Sequence, residues 1–462
     1  MRVPALLVLK ILGRLALLAD IRGDMNQLQW PFLTGRNLNI VKAAGTSLYT
    51  DDGQEIIDAA GGAIVSNIGH GDARVVAAVA EATANVTYVV PPWHTPGRTA
   101  MTAALADWLP PSFTRMHGTA GGSEANEAAM KIALHYQQAI GQTTRTEIIG
   151  RNISYHGTTL ATASISGHPG RKKGLESALP SFLEVPAPYP LRCPLGSFHP
   201  DTGRHYAEAL RDLIESTGPE NVAAFIAEPI TGSSGGAIVP PDDYWPAVRS
   251  ICDEYGVLLI MDEVMTGFGR TGKDFGFQHW NVEPDILVSG KGLAGGYAPL
   301  GGVFATERIG QAIQEAGFQV MFNTFGGHPA ACAAATQVLT IMREEHLVQQ
   351  AQQRGDYLEQ RLHDAFDQHP NVAEIRGRGL LRGIEIVADR DSLERFPAAA
   401  GISGQVVAEG LKNGVFFYGG GTGEIRDIVC LGPAFVVTED TLDQIVERLQ
   451  AAIDTVVAGY SN

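Results

Sequence analysis

A chain of 462 residues, 45% hydrophobic and 18% charged, can bury a large core and predicts a main domain with a smaller one. Its 34 basic and 50 acidic residues give a net charge of −16, which argues against nucleic acid as a partner. The four cysteines lie far apart without metal or redox spacing, so we expect reduced thiols, no metal site and a cytoplasmic protein. They are Cys193, Cys252, Cys332 and Cys430.

The first 24 residues are apolar, but Lys10 and Arg14 leave residues 3–9 as their longest uncharged stretch. Such a stretch is too short to cross a bilayer, so we expect no membrane partner. A signal peptide would need an A-x-A cleavage site, which is absent. An interfacial amphipathic helix is one alternative. We favour a translation start placed too far upstream, with Met25 as the true start, and leave residues 1–24 out of the fold prediction.

The predicted elements divide the rest of the chain into three parts. Residues 25–84 are assigned to the N-terminal part of a small domain, with a hairpin over 47–60 that turns at Asp51-Asp52-Gly53. Residues 85–342 alternate short apolar strands with amphipathic helices, which indicates an α/β sheet covered on both faces. Residues 343–462 complete the small domain, because neither end of the chain can bury a core alone.

The clearest strands of the middle part are 223–229, 257–264 and 286–292, with a helix at 242–255 between the first two. The C-terminal part begins with a long polar helix over 343–366 and closes with a second one over 438–457. Between them, Gly377-Arg378-Gly379 lacks the strand–helix context of a dinucleotide site, so we interpret it as a turn.

An ionisable side chain stands at the end of each of the three clearest strands: Glu228, Asp262 and Lys291. In open α/β sheets, ligands bind outside the carboxyl ends of the strands. Taken singly, each residue could cap a turn, pair with a surface charge or be solvated. Their repetition at three strand ends favours a single site.

Residues 117–136 place a glycine turn before a strong helix, with Ser123 as the predicted N-cap. Free amides at a helix N-terminus, together with a hydroxyl, suit a phosphate, although an ordinary capped helix has the same pattern. Tyr155 precedes another glycine turn and could either stack on a flat ligand or pack the core.

Together these features meet the needs of one cofactor. A partly desolvated lysine can form a Schiff base, and an ionised buried carboxylate can hold a protonated pyridine nitrogen. A helix N-terminus can hold a phosphate, and an aromatic side chain can cover a ring. These are the requirements of pyridoxal 5'-phosphate.

The residues also resemble a known family, the class III (omega-type) aminotransferases, in its amine or omega-amino acid:pyruvate-like branch. The similarity extends from about Leu38 to the last helix, and the DEVxTGFGRTG and SGKGL motifs are its most specific part. The stretches that carry it are GGSEANEAAMKIA, YHGTTLA, AFIAEPITGSSGG, LLIMDEVMTGFGRTG, ILVSGKGLAGGYAPLGG and NTFGGHPAACAAA. The resemblance implies the type I fold of pyridoxal-phosphate-dependent transferases, with a mostly parallel sheet in the large domain and a small α+β domain from both termini.

The resemblance also implies the catalytic groups. Lys291 corresponds to the lysine of the internal aldimine, which acts as general base and acid in the 1,3-proton shift. Asp262 corresponds to the carboxylate that pairs with the pyridine nitrogen. The implied reaction is a ping-pong transfer of an amino group from an amine or omega-amino acid to a keto acid.

The remaining cofactor contacts are likewise implied by the resemblance. Gly122 and Ser123 would hold the phosphate, Tyr155 and Val264 would cover the two faces of the ring, and Glu228 would lie near cofactor and substrate. Thr324 would reach the phosphate of the neighbouring subunit, which implies a homodimer with shared active sites. A tetramer stays open.

The substrate residues match the family less well. Val429 stands where ornithine- and 4-aminobutyrate-type members have a carboxylate-binding arginine. Amine:pyruvate members have a mobile arginine some residues earlier, near Thr422, and Arg426 is the only nearby candidate for it, although it could equally pair with Asp427 or Glu424 on the surface. Ile64 replaces a bulky tryptophan of amine:pyruvate members, which predicts a roomier pocket unless Trp93 refills it. The segment 186–194 resembles that branch and favours pyruvate as the acceptor.

Three other functions remain open from the sequence. One is a pyridoxal-phosphate-dependent aminomutase or decarboxylase, and another is an omega-aminotransferase that uses 2-oxoglutarate. The third is a ligand sensor without catalysis, which the acidic composition and the lack of a DNA-binding segment disfavour.

Overall fold

Fifteen strands and thirteen α-helices occur in the computed structural model, which describes residues 38–460. The questions raised by residues 1–24 and by Met25 lie outside the described residues. The strands are β1 (Ile40–Ala44), β2 (Ser47–Thr50), β3 (Glu55–Asp58), β4 (Phe113–Thr119), β5 (Glu147–Arg151), β6 (Leu183–Val185), β7 (Val222–Ala227), β8 (Leu258–Asp262), β9 (Ile286–Ser289), β10 (Gly301–Thr306), β11 (Val372–Arg378), β12 (Leu381–Ile386), β13 (Val415–Phe416), β14 (Tyr418–Thr422) and β15 (Ile425–Leu431).

The helices connect these strands or cover them. Their bounds are Gly61–Ile64, Ala73–Asn85, Pro96–Ala106, Gly122–Ala139, Leu160–Ile165, Pro169–Lys172, Thr202–Thr217, Tyr244–Tyr255, Glu307–Glu315, Pro329–Glu344, Leu347–Phe366, Ile402–Lys412 and Glu439–Ala458. Within residues 38–460, none combines the length and apolarity that a bilayer span requires.

The central sheet has seven strands in the order β4-β10-β9-β8-β7-β5-β6. The pairs from β6 to β9 are all parallel, and only β10 runs antiparallel to its neighbours. The mostly parallel sheet expected from the resemblance to the type I fold is therefore confirmed.

Both faces of this sheet are buried at its central strands, which explains why β7, β8 and β9 are mostly apolar. In β8, Leu258 and Ile260 pack with the helix Gly122–Ala139, whereas Leu259 and Met261 belong to the larger core on the other face. Successive side chains of a strand point to opposite faces, so a strand covered on both sides needs apolar residues at every position.

Two smaller sheets contain strands from the ends of the chain. In the first, β2 and β3 form the predicted hairpin, β1 pairs with β2, and β13 pairs in parallel with β3. The second has the order β11-β12-β15-β14 and is antiparallel. The N-terminal and C-terminal parts thus share a sheet, as the fold prediction requires. The predicted domain limits at residues 84 and 342 stay predictions.

Two local predictions differ from the structure. The single helix predicted over 343–366 is two helices, because His346 adopts a left-handed φ of 53° that an α-helix cannot continue. In the predicted turn 377–379, Gly377 and Arg378 extend β11. Only Gly379, with φ 55°, lies in the connection to β12.

Candidate active site

The three ionisable residues predicted at strand ends lie on adjacent strands. Glu228 follows β7, Asp262 ends β8, and Lys291 stands two residues after β9. Because β7, β8 and β9 are parallel neighbours, their carboxyl ends lie at one edge of the sheet. The amide of Glu263 donates to the carbonyl of Val288 at 2.9 Å, which aligns the last residues of β8 and β9.

Lys291 opens a short 3-10 turn with a φ of 28°. Burial lowers the pKa of its ammonium group to about 8, while the negative charges of Asp262 and Glu228 act in the opposite direction. No described residue accepts a hydrogen bond from its Nζ. A lysine in these surroundings has a larger neutral fraction near neutral pH than an exposed one, which suits a nucleophile.

Asp262 is 3% exposed, and donors surround its carboxylate. Its Oδ2 accepts hydrogen bonds from Asn126 Nδ2 and His156 Nδ1, both at 2.8 Å. Its Oδ1 accepts one from the Val264 amide at 3.0 Å. Three donors on one carboxylate hold the group in one orientation.

His156 and Asn126 are site residues that the sequence patterns did not predict. His156 lies between Tyr155 and Gly157. Of the residues in this segment, only Tyr155 was predicted to belong to the site. Nδ1 of His156 donates to Asp262, so Nε2 is the other ring nitrogen. Nε2 is buried and has no hydrogen-bond partner among the described residues. The same is true of Asn126 Oδ1. The sequence feature that could have pointed to His156 is its position next to Tyr155, the predicted ring-stacking residue.

Glu228 and Glu263 are both buried carboxylates with different surroundings. Glu228 accepts hydrogen bonds from the Gly232 amide at 2.9 Å and the Tyr155 amide at 3.2 Å, and burial raises its pKa. Glu263 instead accepts from the amides of Gly276 and Phe277, each at 2.8 Å. Burial raises the pKa of Glu263 to about 7. Glu263 therefore anchors a loop, and Glu228 is the acid next to the predicted ring-stacking residue.

The prediction that Ser123 caps the helix at 122 is wrong. Gly121 occupies the N-cap position and the helix begins at Gly122, so Ser123 is already within the first turn. Its Oγ accepts a hydrogen bond from the Thr158 amide at 3.1 Å and so connects the helix to the loop after Gly157. The amides of Gly122 and Ser123 belong to the first turn and have no acceptor within the helix, which leaves them open to an anion.

Glycines allow three segments to meet at this helix start. A Cβ on Gly157 would lie 2.5 Å from Ser123 Oγ, and one on Gly290 would lie 3.5 Å from the Gly122 nitrogen. A Cβ on Gly122 would lie 3.0 Å from Val264 Cγ1. The loop at Gly157, the loop after β8 and the loop before Lys291 are therefore packed against the helix N-terminus.

Tyr155 is half-buried, and the guanidinium carbon of Arg171 lies 4.3 Å from the centre of its ring. Thr324 is exposed, as expected for a residue that acts on another subunit. Neither observation tests the cofactor role predicted for these two side chains.

The predicted substrate residues are dispersed. Ile64 is 2% exposed and packs against Gly432, whereas Trp93 is 64% exposed. Arg426 donates to the Phe396 carbonyl at 2.9 Å, and its Nε lies 3.9 Å from Asp427. Among the described residues, no hydrogen bond or ion pair joins Arg426 to the strand-end site.

Comparison with known proteins identifies the family of the chain. The sequence profile of the class-III aminotransferases matches residues 34–453. The chain is 36% identical to the taurine–pyruvate aminotransferase of Bilophila wadsworthia, an alignment that covers 90% of this chain and 92% of that protein. It is 33% identical to the putrescine–pyruvate aminotransferase of Pseudomonas aeruginosa, over 93% of this chain and 94% of the relative.

A third relative uses a different acceptor, and a solved structure shares the fold. The diaminobutyrate–2-oxoglutarate transaminase of Halomonas elongata is 30% identical, with 90% of each chain covered. The crystal structure of the omega transaminase from Pseudomonas jessenii, in complex with PMP, superposes with a TM-score of 0.87. It is 31% identical, and the superposition covers 94% of this chain and 98% of that one.

Proposed function

Since the chain belongs to the class III aminotransferases, we propose that it moves an amino group from an amine or omega-amino acid to a keto acid, with pyruvate as the favoured acceptor. Its membership makes it an enzyme, a transaminase, and pyridoxal 5'-phosphate is the cofactor of the class. Two of the relatives described above are named for pyruvate and one for 2-oxoglutarate. The segment 186–194 also favours pyruvate.

The residues at the strand ends fit this cofactor. The observation that carries the proposal is a lysine with a lowered pKa next to a buried carboxylate held by three donors. We assign Lys291 to the aldehyde of the cofactor and Asp262 to its pyridine nitrogen. The open amides of Gly122 and Ser123 suit its phosphate, and Tyr155 and Val264 are assigned to its ring.

The bound cofactor would act as an electron sink for the carbon that carries the amino group. Asp262 would hold the proton on the pyridine nitrogen, because its three donors fix the orientation of the carboxylate. Lys291 would take the proton from the substrate carbon that carries the amino group and return it to the carbon on the other side of the amino nitrogen, and the first of these transfers requires its neutral form. Glu228, close to both, would position the substrate. The donor product would leave before the acceptor enters, so the kinetics would be ping-pong.

We also propose a homodimer in which Thr324 completes the phosphate site of the partner. An exposed apolar surface near Thr324 supports it: Tyr88 and Phe325 lie with ring centres 6.3 Å apart, and Met321 is 72% exposed. Exposed apolar surfaces of this kind are typical of subunit interfaces. The four buried, free cysteines support the cytoplasm as the location of the enzyme.

The function is tested by the visible absorption band of the purified protein with cofactor. Single amines are added without an acceptor: alanine, beta-alanine, 4-aminobutyrate, a diamine and an arylalkylamine. We expect a subset to bleach the band and pyruvate to restore it faster than 2-oxoglutarate. Restoration by 2-oxoglutarate alone would overturn the pyruvate assignment. Failure of every amine, with isomerisation of an amino acid in the absence of a keto acid, would indicate an aminomutase.

The shared site is tested by mixing two inactive variants, Lys291→Ala and Thr324→Asp. In a mixed dimer, the subunit that keeps Lys291 receives the unchanged Thr324 of the other subunit. Activity should therefore return to about a quarter of the wild-type value after random re-association, because half of the dimers have one intact site. A mixture as inactive as its components would show that Thr324 serves its own subunit, and an active Thr324→Asp variant would show that Thr324 has no role in the site.

A further inference from the structure

Arg171 places a positive charge at the predicted cofactor site. It belongs to the short helix Pro169–Lys172, and its guanidinium carbon lies 4.3 Å from the centre of the Tyr155 ring. Its charge is close enough to Lys291 to contribute to the lowering of that lysine's pKa. A contact of this kind with an aromatic ring uses none of the N–H donors in a hydrogen bond, so they can still bind other groups.

Among residues 38–460, this arginine has no anionic partner. No described residue forms a hydrogen bond or an ion pair with its side chain, which is exposed. The adjacent Lys172, by contrast, donates to the Ser164 carbonyl at 2.6 Å. A free guanidinium beside a reaction centre is suited to an anionic group of the substrate, because its planar fork matches a carboxylate.

Two other arginines, Arg426 and Arg270, are already engaged. Arg426 donates to the Phe396 carbonyl. Arg270, whose charge also acts on Lys291, is buried and donates to the carbonyls of Pro433 at 2.6 Å and Ser66 at 3.0 Å. Of the three, only Arg171 offers its donors to a ligand without breaking a hydrogen bond within the protein.

We propose that Arg171 binds the carboxylate of the keto-acid acceptor and so determines the acceptor specificity of this site. The inference rests on the proposed transaminase function and replaces Arg426 in that role. The acceptor class is a 2-keto acid whose carboxylate accepts two hydrogen bonds from the guanidinium group. Amine donors without a carboxylate do not need this contact.

The test compares Arg171→Gln with Arg171→Lys and with a matched control, Lys173→Gln, at an exposed lysine two positions away. Each variant is given one amine donor without a carboxylate and two acceptors: pyruvate, and propanal, which lacks the carboxylate. In Arg171→Gln we expect KM for pyruvate to rise about 10- to 100-fold, because one charge-assisted hydrogen-bonded pair is lost. KM for propanal should stay constant, because propanal has no carboxylate. KM for pyruvate in Arg171→Lys should lie between the values of the wild type and Arg171→Gln, because lysine keeps the positive charge but cannot donate two parallel hydrogen bonds to a carboxylate.

Donor bleaching of the absorption band should be equal in all these variants, which separates acceptor binding from damage to the cofactor site. An equal rise of KM for both acceptors would overturn the inference, because it would mean that Arg171 only supports Tyr155. The inference would also be overturned if Arg426→Gln raised KM for pyruvate alone while Arg171→Gln left KM for pyruvate unchanged. A wild-type band that no amine bleaches would instead overturn the proposed function, and the inference with it.

Discussion

His156 Nδ1 donates a 2.8 Å hydrogen bond to Asp262 Oδ2 in a buried part of the site, where Asn126 donates to the same oxygen. Two donors on one oxygen, and the Val264 amide on the other, leave the carboxylate little freedom to rotate. The negative charge at the end of β8 is thus fixed in place before any ligand binds. Preorganised charge of this kind stabilises a transition state without a reorganisation cost during the reaction.

Asp262→Asn is expected to lower kcat about 100- to 1000-fold, because the amide cannot hold a proton on the pyridine nitrogen. The substitution keeps the size of the side chain. Its NH₂ group, however, cannot accept the hydrogen bonds that one carboxylate oxygen accepts now. Steady-state turnover with saturating cofactor measures the effect. A variant within tenfold of wild type would contradict the role of Asp262.

His156→Gln is expected to lower kcat about tenfold, because one hydrogen bond to the charged group is weakened while Asp262 itself remains. The wavelength of the cofactor band should shift with it, since the charge next to the pyridine nitrogen changes. The matched control is His279→Gln, at a histidine that contacts Thr271 instead of the site. Loss of stability without any spectral shift would show that His156 only fills the core.

Lys291→Ala should reduce turnover to the limit of detection, because no other described lysine stands at the strand ends. The variant should still bind the cofactor through the helix start and Asp262, but without a covalent bond to the protein. Borohydride treatment followed by mass spectrometry detects that bond in the wild type. Lys273→Ala, at an exposed lysine in the loop after β8, should behave as wild type.

The cofactor-free protein should take up pyridoxal 5'-phosphate at a rate that rises with pH and levels off above about 8, the pKa to which burial lowers Lys291. Only the neutral amine attacks the aldehyde, so protonation below this pH slows the reaction about tenfold per unit. The rate of uptake is measured from the growth of the visible band at pH values between about 6.5 and 9.5, because this range brackets the pKa of Lys291. A rate that still climbs at the upper limit would indicate a lysine with an ordinary pKa.

Gly157→Ala is expected to weaken cofactor binding and to lower the free energy of unfolding by about 1–3 kcal/mol, because the added methyl group has no space. Its Cβ would lie 2.7 Å from Ser123 Cα, and the residue has a φ of 143°. Thermal unfolding with and without cofactor measures both effects. Gly404→Ala is the control, since a Cβ there meets nothing within 4 Å.

Short-range patterns in the sequence determined much of the fold. The apolar runs at β7, β8 and β9 reveal strands buried on both faces, because such strands need a hydrophobic side chain at each position. Parallel pairing then brings the residues that follow them to one edge of the sheet. Glu228, Asp262 and Lys291 could therefore be grouped from the amino-acid sequence alone, and the family motifs assigned them chemistry.

Tertiary structure alone decided how those residues are held and what surrounds them. Asn126 and His156 meet at Asp262 from segments more than 100 positions away, and Arg171 lies on the ring of Tyr155, which belongs to a different loop. Ser123, expected to cap its own helix, binds the loop at Thr158 instead. Sequence periodicity reports on neighbours within about four positions along a helix or strand. Partners that are distant along the chain depend on how packed elements bring side chains together, and the electrostatics of the site depend on those partners.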